Sequence, residues 1–170
     1  MKRGLLYILF LLLTTYTYGQ SIEEYWERWN NNYPEVDIIS VLKHERIYAD
    51  SVEKDLNIPQ YYLRIDKYRF QAEYLGKTRT ASEEVVASMK RVLKIFTGDS
   101  TQFDELIDKE VLFRVGQEEI WMPIQPIVLE ALEEEVEIGD TIILYCLFLN
   151  EHTYDPNVLY NTFFISEFNY

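Results

Sequence analysis

The sequence predicts an α+β protein, in which an N-terminal helix and a strand–helix unit precede a small antiparallel β-barrel of the SH3-like or OB-like kind. Aromatic residues make up 15% of the chain, with 14 Tyr and 9 Phe, which favours half-buried β surfaces. Two N-terminal segments have helical periodicity, and the C-terminal third alternates apolar and polar residues between short turns. A short helix is predicted within the barrel.

The first nineteen residues have the pattern of a cleaved signal peptide. Lys2 and Arg3 precede an apolar run from Leu5 to Leu13, and small residues stand three and one positions before Gln20. The run is shorter than the ~20 residues that span a bilayer. We therefore expect an exported protein, periplasmic or extracellular, without a membrane span after cleavage.

Three segments are predicted along the chain: the signal peptide at 1–19, a helical and strand-containing part at 20–98, and a barrel-like part at 99–170. The boundary is placed at a polar stretch where the charge changes sign. One compact unit over residues 20–170 is the alternative, since a chain of about 150 residues can bury a single core.

The N-terminal part begins with a predicted helix of about ten residues. Ser21 and Glu24 form a capping-box pattern, and Asn and Pro residues follow the helix. Its apolar face consists of Ile22, Tyr25, Trp26 and Trp29. The next segment, from Val36 to Ile47, has mixed periodicity and is interpreted as one or two strands.

A strand–helix unit follows. Residues 68–74 alternate as in a strand with one wet face, and Gly76 with Lys77 predicts its turn. Thr80 and Glu83 form a second capping-box pattern, which opens a helix that ends before Gly98.

The C-terminal part predicts four strands and a helix. Residues 111–115 and 120–122 flank a turn at 116–117, as in a hairpin, and Pro123 places the second strand at a sheet edge or a bend. Pro126 opens a short helix to about Glu135. A turn at 139–140 leads into a strand at 141–149, a polar loop at 150–161 and a last strand at 162–168.

The C-terminal third resembles a segment of uncharacterised exported proteins of Gram-negative bacteria, over about 60 residues. The likeness lies in Gly116, Trp121, Pro123 and Gln125 within 110–125, in the pairs at 139–140 and 144–145, and in Phe164, Glu167 and Phe168. The resemblance implies export but no known activity and no functional residue.

Charge is unevenly distributed in the predicted mature chain. It has 14 basic and 29 acidic residues, a net charge of −15, with −5 in residues 20–61, +4 in 62–98 and −14 in 99–170. Such an acidic end repels phosphate backbones, so nucleic acid and anionic lipid are poor partners. A basic protein or a small ligand remains as partner, unless the basic middle segment simply packs beside the acidic end.

The sequence predicts no catalytic, cofactor or metal site. It has two histidines, His44 and His152, and none of the usual hydrolase, phosphate-loop or zinc motifs. Cys146 and His152 are separated by six residues, about 20 Å of extended strand, too far for a catalytic dyad. We expect Cys146, inside an apolar run, to be buried.

Two candidate binding surfaces follow from the pattern. The predicted polar loop carries Glu151, His152, Tyr154 and Asp155, although such residues are also common in a solvated turn. The predicted edge strand carries Trp121, with Gln125 after it, although a Trp is often buried in a core. An acidic run at 130–137 fits a basic partner or a solvated helix face, and it lacks the ligand spacing of a calcium loop.

These observations favour a non-catalytic exported binding protein. A small periplasmic hydrolase that uses carboxylates is the alternative among enzymes, and a concave pocket with two carboxylates of unequal pKa would favour it. An immunity-type protein that neutralises a basic toxin is the alternative among partners. The sequence does not specify an oligomeric state.

Overall fold

The computed structural model describes residues 21–55, 57, 61–99, 101, 106–153 and 158–170. The described chain has an α+β fold of four helices and a five-stranded mixed sheet. The predicted signal peptide lies outside the described residues, so its cleavage stays a prediction. None of the described helices has the length and apolarity needed to cross a membrane.

The elements follow in a simple order along the chain. The helices are α1 at Ile22–Asn32, α2 at Ile38–Lys54, α3 at Glu83–Thr97 and α4 at Pro126–Glu135. The strands are β1 at Tyr61–Thr80, β2 at Lys109–Val115, β3 at Glu118–Ile124, β4 at Thr141–Thr153 and β5 at Val158–Asn169. Two compact units divide the chain, residues 1–32 and residues 33–170.

Helix α1 is the described element of the first unit, and its prediction is confirmed. The Ser21 hydroxyl oxygen accepts a hydrogen bond from the Glu24 backbone N–H at 3.1 Å, as a capping residue does. Tyr25 and Trp26 meet edge to face with ring centroids 5.0 Å apart.

The five strands of the second unit pair in a closed ring, in the order β1, β2, β3, β5, β4 and back to β1. Strand β4 pairs antiparallel with β1 through thirteen registered residues and with β5 through eleven. Strands β3 and β5 are parallel and share one registered pair, Ile124 with Ile165. The sheet is therefore mixed, and the prediction of a purely antiparallel sheet is wrong at this one seam.

Strand β1 is longer than predicted and contains the residues that were expected to form a turn. Gly76 has φ +65° and lies where the register with β2 shifts, between Tyr74 and Thr78. The glycine thus makes a bulge that bends the strand rather than ending it. The predicted boundary between residues 98 and 99 falls after β1 and before the other four strands. All five strands nevertheless belong to one sheet.

The prediction of strands between Val36 and Ile47 is wrong, because this segment forms most of helix α2. Asp37 caps the helix, since its Oδ1 accepts hydrogen bonds from the backbone N–H groups of Ile39 at 3.0 Å and Ser40 at 3.4 Å. Ile38, Ile39, Val41 and Leu42 pack on the ring interior. Docking of these residues on the core outweighs the strand preference of the three that are β-branched, Ile38, Ile39 and Val41.

Helix α3 is confirmed, with Gly98 in the left-handed conformation at φ 79° after its last turn. Its predicted capping box is wrong: Ser82 is the N-cap residue, and Thr80 still belongs to β1. The hairpin with its turn at 116–117, the helix that opens at Pro126 and the turn before Thr141 are confirmed.

The core has two layers. The interior of the ring is filled by aromatic and aliphatic side chains, including Phe70, Phe113, Phe148 and Phe163. A second cluster lies outside it, where Met89, Val92 and Leu93 of α3 cover Leu149 and Phe164. Helix α2 packs on the interior cluster, which makes it the covering element beside the β3–β5 seam.

Candidate functional site

Glu151 and His152 are not in a loop, because β4 extends to Thr153 and β5 begins at Val158. Glu151 is buried, and its two carboxylate oxygens accept hydrogen bonds from Nε and a terminal nitrogen of Arg91, each at 2.7 Å. This bidentate pair joins β4 to α3. Glu151 therefore stabilises the packing of α3 on the sheet.

His152 is also buried, with 1% of its surface exposed. It pairs in register with Tyr62 of β1 and with Leu159 of β5. Phe148 lies in the ring interior, so strand alternation places Asn150 and His152 on the same inner face. Tyr154 and Asp155, the other two residues of the predicted loop, lie outside the described residues.

Trp121 is half-buried on β3, on the outer face of the ring. The guanidinium of Arg79 lies 4.3 Å from its ring centroid, and the same arginine donates a hydrogen bond to buried Glu110 at 2.7 Å. This stack links three strands, β1, β2 and β3. Trp121 thus has a packing role on the outer face and does not enter the ring interior.

Gln125 acts through its backbone at the start of α4. Its carbonyl oxygen accepts hydrogen bonds from the backbone N–H groups of Val128 at 3.1 Å and Leu129 at 2.9 Å. Pro123 pairs with β2 on one side, whereas on the other side only the next residue, Ile124, is registered with β5. Strand β3 therefore has a neighbour on each side, and the sheet edge predicted from Pro123 is a sparsely paired seam instead.

The acidic run belongs to α4 and the turn after it. The glutamates at 130, 133, 134, 135 and 137 are all exposed. None of them forms an ion pair within the described part of the chain. Three of them line an open cleft of about 330 Å³ with Asp108 and Lys109. The described residues contain no group of acidic, His and Cys side chains arranged to hold a metal ion.

Cys146 is fully buried in the ring interior, as predicted. Burial raises the pKa of its thiol well above the ordinary value, because a thiolate would be desolvated there. A thiol held neutral and out of solvent is a poor nucleophile. The cysteine therefore contributes to the core.

A different site appears at the β3–β5 seam. Ile124 and Ile165 are the only registered pair between the two described strands, and helix α2 packs on the core beside this seam. A cleft of about 370 Å³ opens there, which we call the seam cleft. Its walls are formed by Ile39, Leu42, Lys43 and Arg46 of α2, Glu118 and Ile120 of β3, and Asn161 of β5.

Asn161 is held in place from inside the ring. Its Oδ1 accepts a hydrogen bond from Nδ2 of Asn150 at 2.7 Å, and the two residues are directly opposite in the β4–β5 register. Asn150 is completely buried, and its own Oδ1 has no hydrogen-bond partner among the described atoms. A buried polar group lies directly behind the cleft wall.

The sequence did not indicate this cleft, because α2 was interpreted as strand. With α2 read as helix, Ile39, Leu42, Lys43 and Arg46 recur at spacings of three and four, which puts two apolar and two basic side chains on one face. This helical spacing is the sequence feature that could have indicated the α2 wall of the cleft. The contribution of Glu118 and Ile120 depends on the sheet topology.

Comparisons with known proteins give no further identification. No known family matches the chain, and no curated protein and no solved structure is significantly similar to it.

Proposed function

We propose that the protein is an exported, non-catalytic binding protein that holds its ligand in the seam cleft. The observation that carries this proposal is the cleft beside the sparsely paired β3–β5 seam, where apolar and charged side chains of three elements converge. Small-molecule sites are typically clefts of a few hundred Å³ with apolar walls and a few placed polar groups. The seam cleft has both properties.

The scaffold supports a binding role. Strand order β1-β2-β3-β5-β4, a helix inserted between β3 and β4, and closure through a single registered pair favour a small barrel of the OB-like kind over an SH3-like one. Such barrels bind ligands on exposed strand faces. This likeness concerns architecture, and the functional proposal depends on the cleft itself.

The buried carboxylates favour binding over hydrolysis. Glu45, Glu110 and Glu151 are each in an ion pair with an arginine at 2.7 Å. A hydrolase that uses carboxylates needs two of them facing a substrate with divided acid and base roles. Carboxylates that neutralise arginines between packed elements have a structural role instead.

A basic protein is the second candidate partner, and the unpaired glutamates of α4 favour it. Two arginines of the basic middle segment, Arg79 and Arg91, pair with Glu110 and Glu151 of the acidic segment, but none reaches α4. An immunity-type protein would present such a surface to a basic toxin. Replacing Glu133, Glu134 and Glu135 by Gln should then slow association with the partner, and salt should slow it too.

The seam cleft is tested by what the protein carries when it is purified from its native host. Released small molecules and peptides would be identified by mass spectrometry from wild type, from Leu42→Asp and from Ile120→Asp. We expect a ligand that both variants lack. Ile127→Asp is the matched control, since Ile127 is 73% exposed on α4 and does not line the cleft.

The same preparation tests export. N-terminal sequencing should find a mature chain that begins within two residues of Gln20, and an intact Met1 would contradict export. A ligand that both cleft variants retain would contradict the seam cleft as its site. Circular dichroism and unfolding curves of each variant establish that the comparison is made between folded proteins.

A further inference from the structure

The seam cleft carries charges of both signs that are not used within the fold. Lys43 and Arg46 lie on the α2 wall and Glu118 on the β3 wall, and none of the three forms an ion pair with a described residue. Other arginines of the second unit are paired with carboxylates within 4.0 Å. These are Arg64, Arg69, Arg79, Arg91 and Arg114. These three charged side chains are therefore available to bind a ligand.

Asn161 adds a directed donor to the cleft. Its Oδ1 is occupied by the amide of buried Asn150, so its Nδ2 is the group left to donate toward a ligand. Asn150 is completely buried, so its hydrogen bond fixes the orientation of Asn161 from behind the cleft wall.

We propose that the seam cleft binds a zwitterionic ligand with an apolar body, of the class of apolar amino acids and short peptides. Its carboxylate lies against Lys43 and Arg46, with Asn161 as a further donor, and its ammonium faces Glu118. The apolar side chain packs on Leu42 and Ile120. This inference rests on the proposed function, because it names the ligand of the same cleft.

Ligands of one charge sign fit the cleft less well. A simple anion meets Glu118 and the net charge of −15 on the predicted mature chain, whereas a simple cation meets Lys43 and Arg46. A zwitterion satisfies both walls and is neutral overall, so the protein's field does not repel it. The volume of about 370 Å³ is at the lower end of the range for small-molecule sites, which suits a ligand of a few residues at most.

Titration calorimetry with capped peptides tests this class directly. The probes are the dipeptides Leu-Leu and Leu-Phe, their N-acetyl forms, which lack the ammonium, and their C-terminal amides, which lack the carboxylate. We expect the free dipeptides to bind, and each cap to weaken binding by roughly tenfold or more, as loss of a charge-assisted hydrogen bond does.

Paired variants assign each charge to its wall. Replacing Lys43 and Arg46 together by Gln should weaken binding of the free dipeptide but change binding of its amide little, because the amide has no carboxylate to lose. Glu118→Gln should in the same way affect the free dipeptide and spare the N-acetyl form. Lys54→Gln with Lys94→Gln is the matched control, with the same change in charge at exposed positions outside the cleft.

Each contrary result has a distinct meaning. Dipeptides that fail to bind at millimolar concentration, or that bind equally well when capped, overturn the zwitterion. If the ligand recovered from the native host lacks one of the two charges, the zwitterion is wrong while the binding function of the cleft stands. If the cleft variants keep that ligand, the proposed function itself fails.

Discussion

The two sides of strand β5 differ in how completely the ring is closed. Toward β4 it pairs through eleven registered residues, and toward β3 through one. On the closed side, charged residues such as Glu151 and Arg91 are paired with each other. On the open side, Lys43, Arg46 and Glu118 have no such partners among the described residues. Charge thus stabilises one side of the ring and stays available on the other.

We propose that this difference separates residues that hold the fold from residues that face a ligand. Removing a side chain on the closed side should cost stability, whereas removing one on the open side should cost little stability and affect binding. Denaturant unfolding of matched variants measures the first effect directly, because the midpoint shifts while the slope stays constant.

The largest effect is expected in the ring interior. Phe163 is buried and its ring lies 4.8 Å from that of Phe148 and 5.6 Å from that of Phe70. Phe163→Ala should lower the free energy of unfolding by about 3–5 kcal/mol through lost burial and an unfilled cavity. Ile120→Ala in the half-buried cleft wall should cost about 1 kcal/mol. If urea unfolding shows equal losses of stability for Phe163→Ala and Ile120→Ala, the division between fold-stabilising and cleft-facing residues is wrong.

The next effect concerns the ion pair between α3 and β4. Arg91→Ala leaves the carboxylate of Glu151, 3% exposed, without its bidentate partner. Because the arginine itself is 49% exposed, we expect a loss of about 2–3 kcal/mol, below the ~3–5 of a fully buried pair. Arg114→Ala is the control, since both carboxylates it contacts are partly exposed. It should cost less than ~1 kcal/mol, and a larger cost than that of Arg91→Ala would overturn this ranking.

How far the sequence predicts the molecule depends on whether local or tertiary factors decide each element. Helix α3, which ends before Gly98, and the hairpin around Gly116 were predicted because a C-terminal glycine and a tight turn are local signals. Helix α2 was not, because its segment is rich in β-branched residues and becomes helical by docking on the ring. Gly76 looked like a turn but makes a bulge, which depends on strand pairing.

The candidate site was harder to predict than the fold, for the same reason. Glu151 and His152 belong to a polar sequence, but pairing of β4 with β1 and β5 buries both. Polar composition alone therefore suggested a surface loop. The seam cleft combines α2, β3 and β5, which lie far apart in the chain, so its residues come together only through the strand order.

A smaller effect is expected at the bulge of β1. A Cβ at Gly76 would lie 2.4 Å from Cδ1 of Ile138, and one at Gly116 would meet nothing within 4 Å, while both glycines have positive φ. Gly76→Ala should cost about 1–2 kcal/mol from backbone strain, plus whatever Ile138 cannot relieve by moving. Gly116→Ala reports the strain alone. If the two substitutions lower the free energy of unfolding equally, the Ile138 side chain moves aside without an energetic cost.

The smallest effect, and the most specific in its pH dependence, is expected at the start of the α2 cleft wall. The Ser40 hydroxyl donates to Oδ2 of Asp37 at 2.6 Å, and this bond and the backbone bonds of Ser40 and Ile39 lower the pKa of Asp37 below its ordinary 3.8. The ionised cap therefore stabilises the fold fully above pH 3.8, and the contribution is lost as the pH falls through the lower pKa of the folded state. Asp37→Ala should be less stable than wild type at neutral pH, and the difference should shrink in this acidic range. Asp37→Ser keeps a capping oxygen that does not titrate, so its stability relative to Asp37→Ala should not change over this pH range. If the difference in unfolding free energy between wild type and Asp37→Ala is the same at every pH, the charge of Asp37 does not contribute.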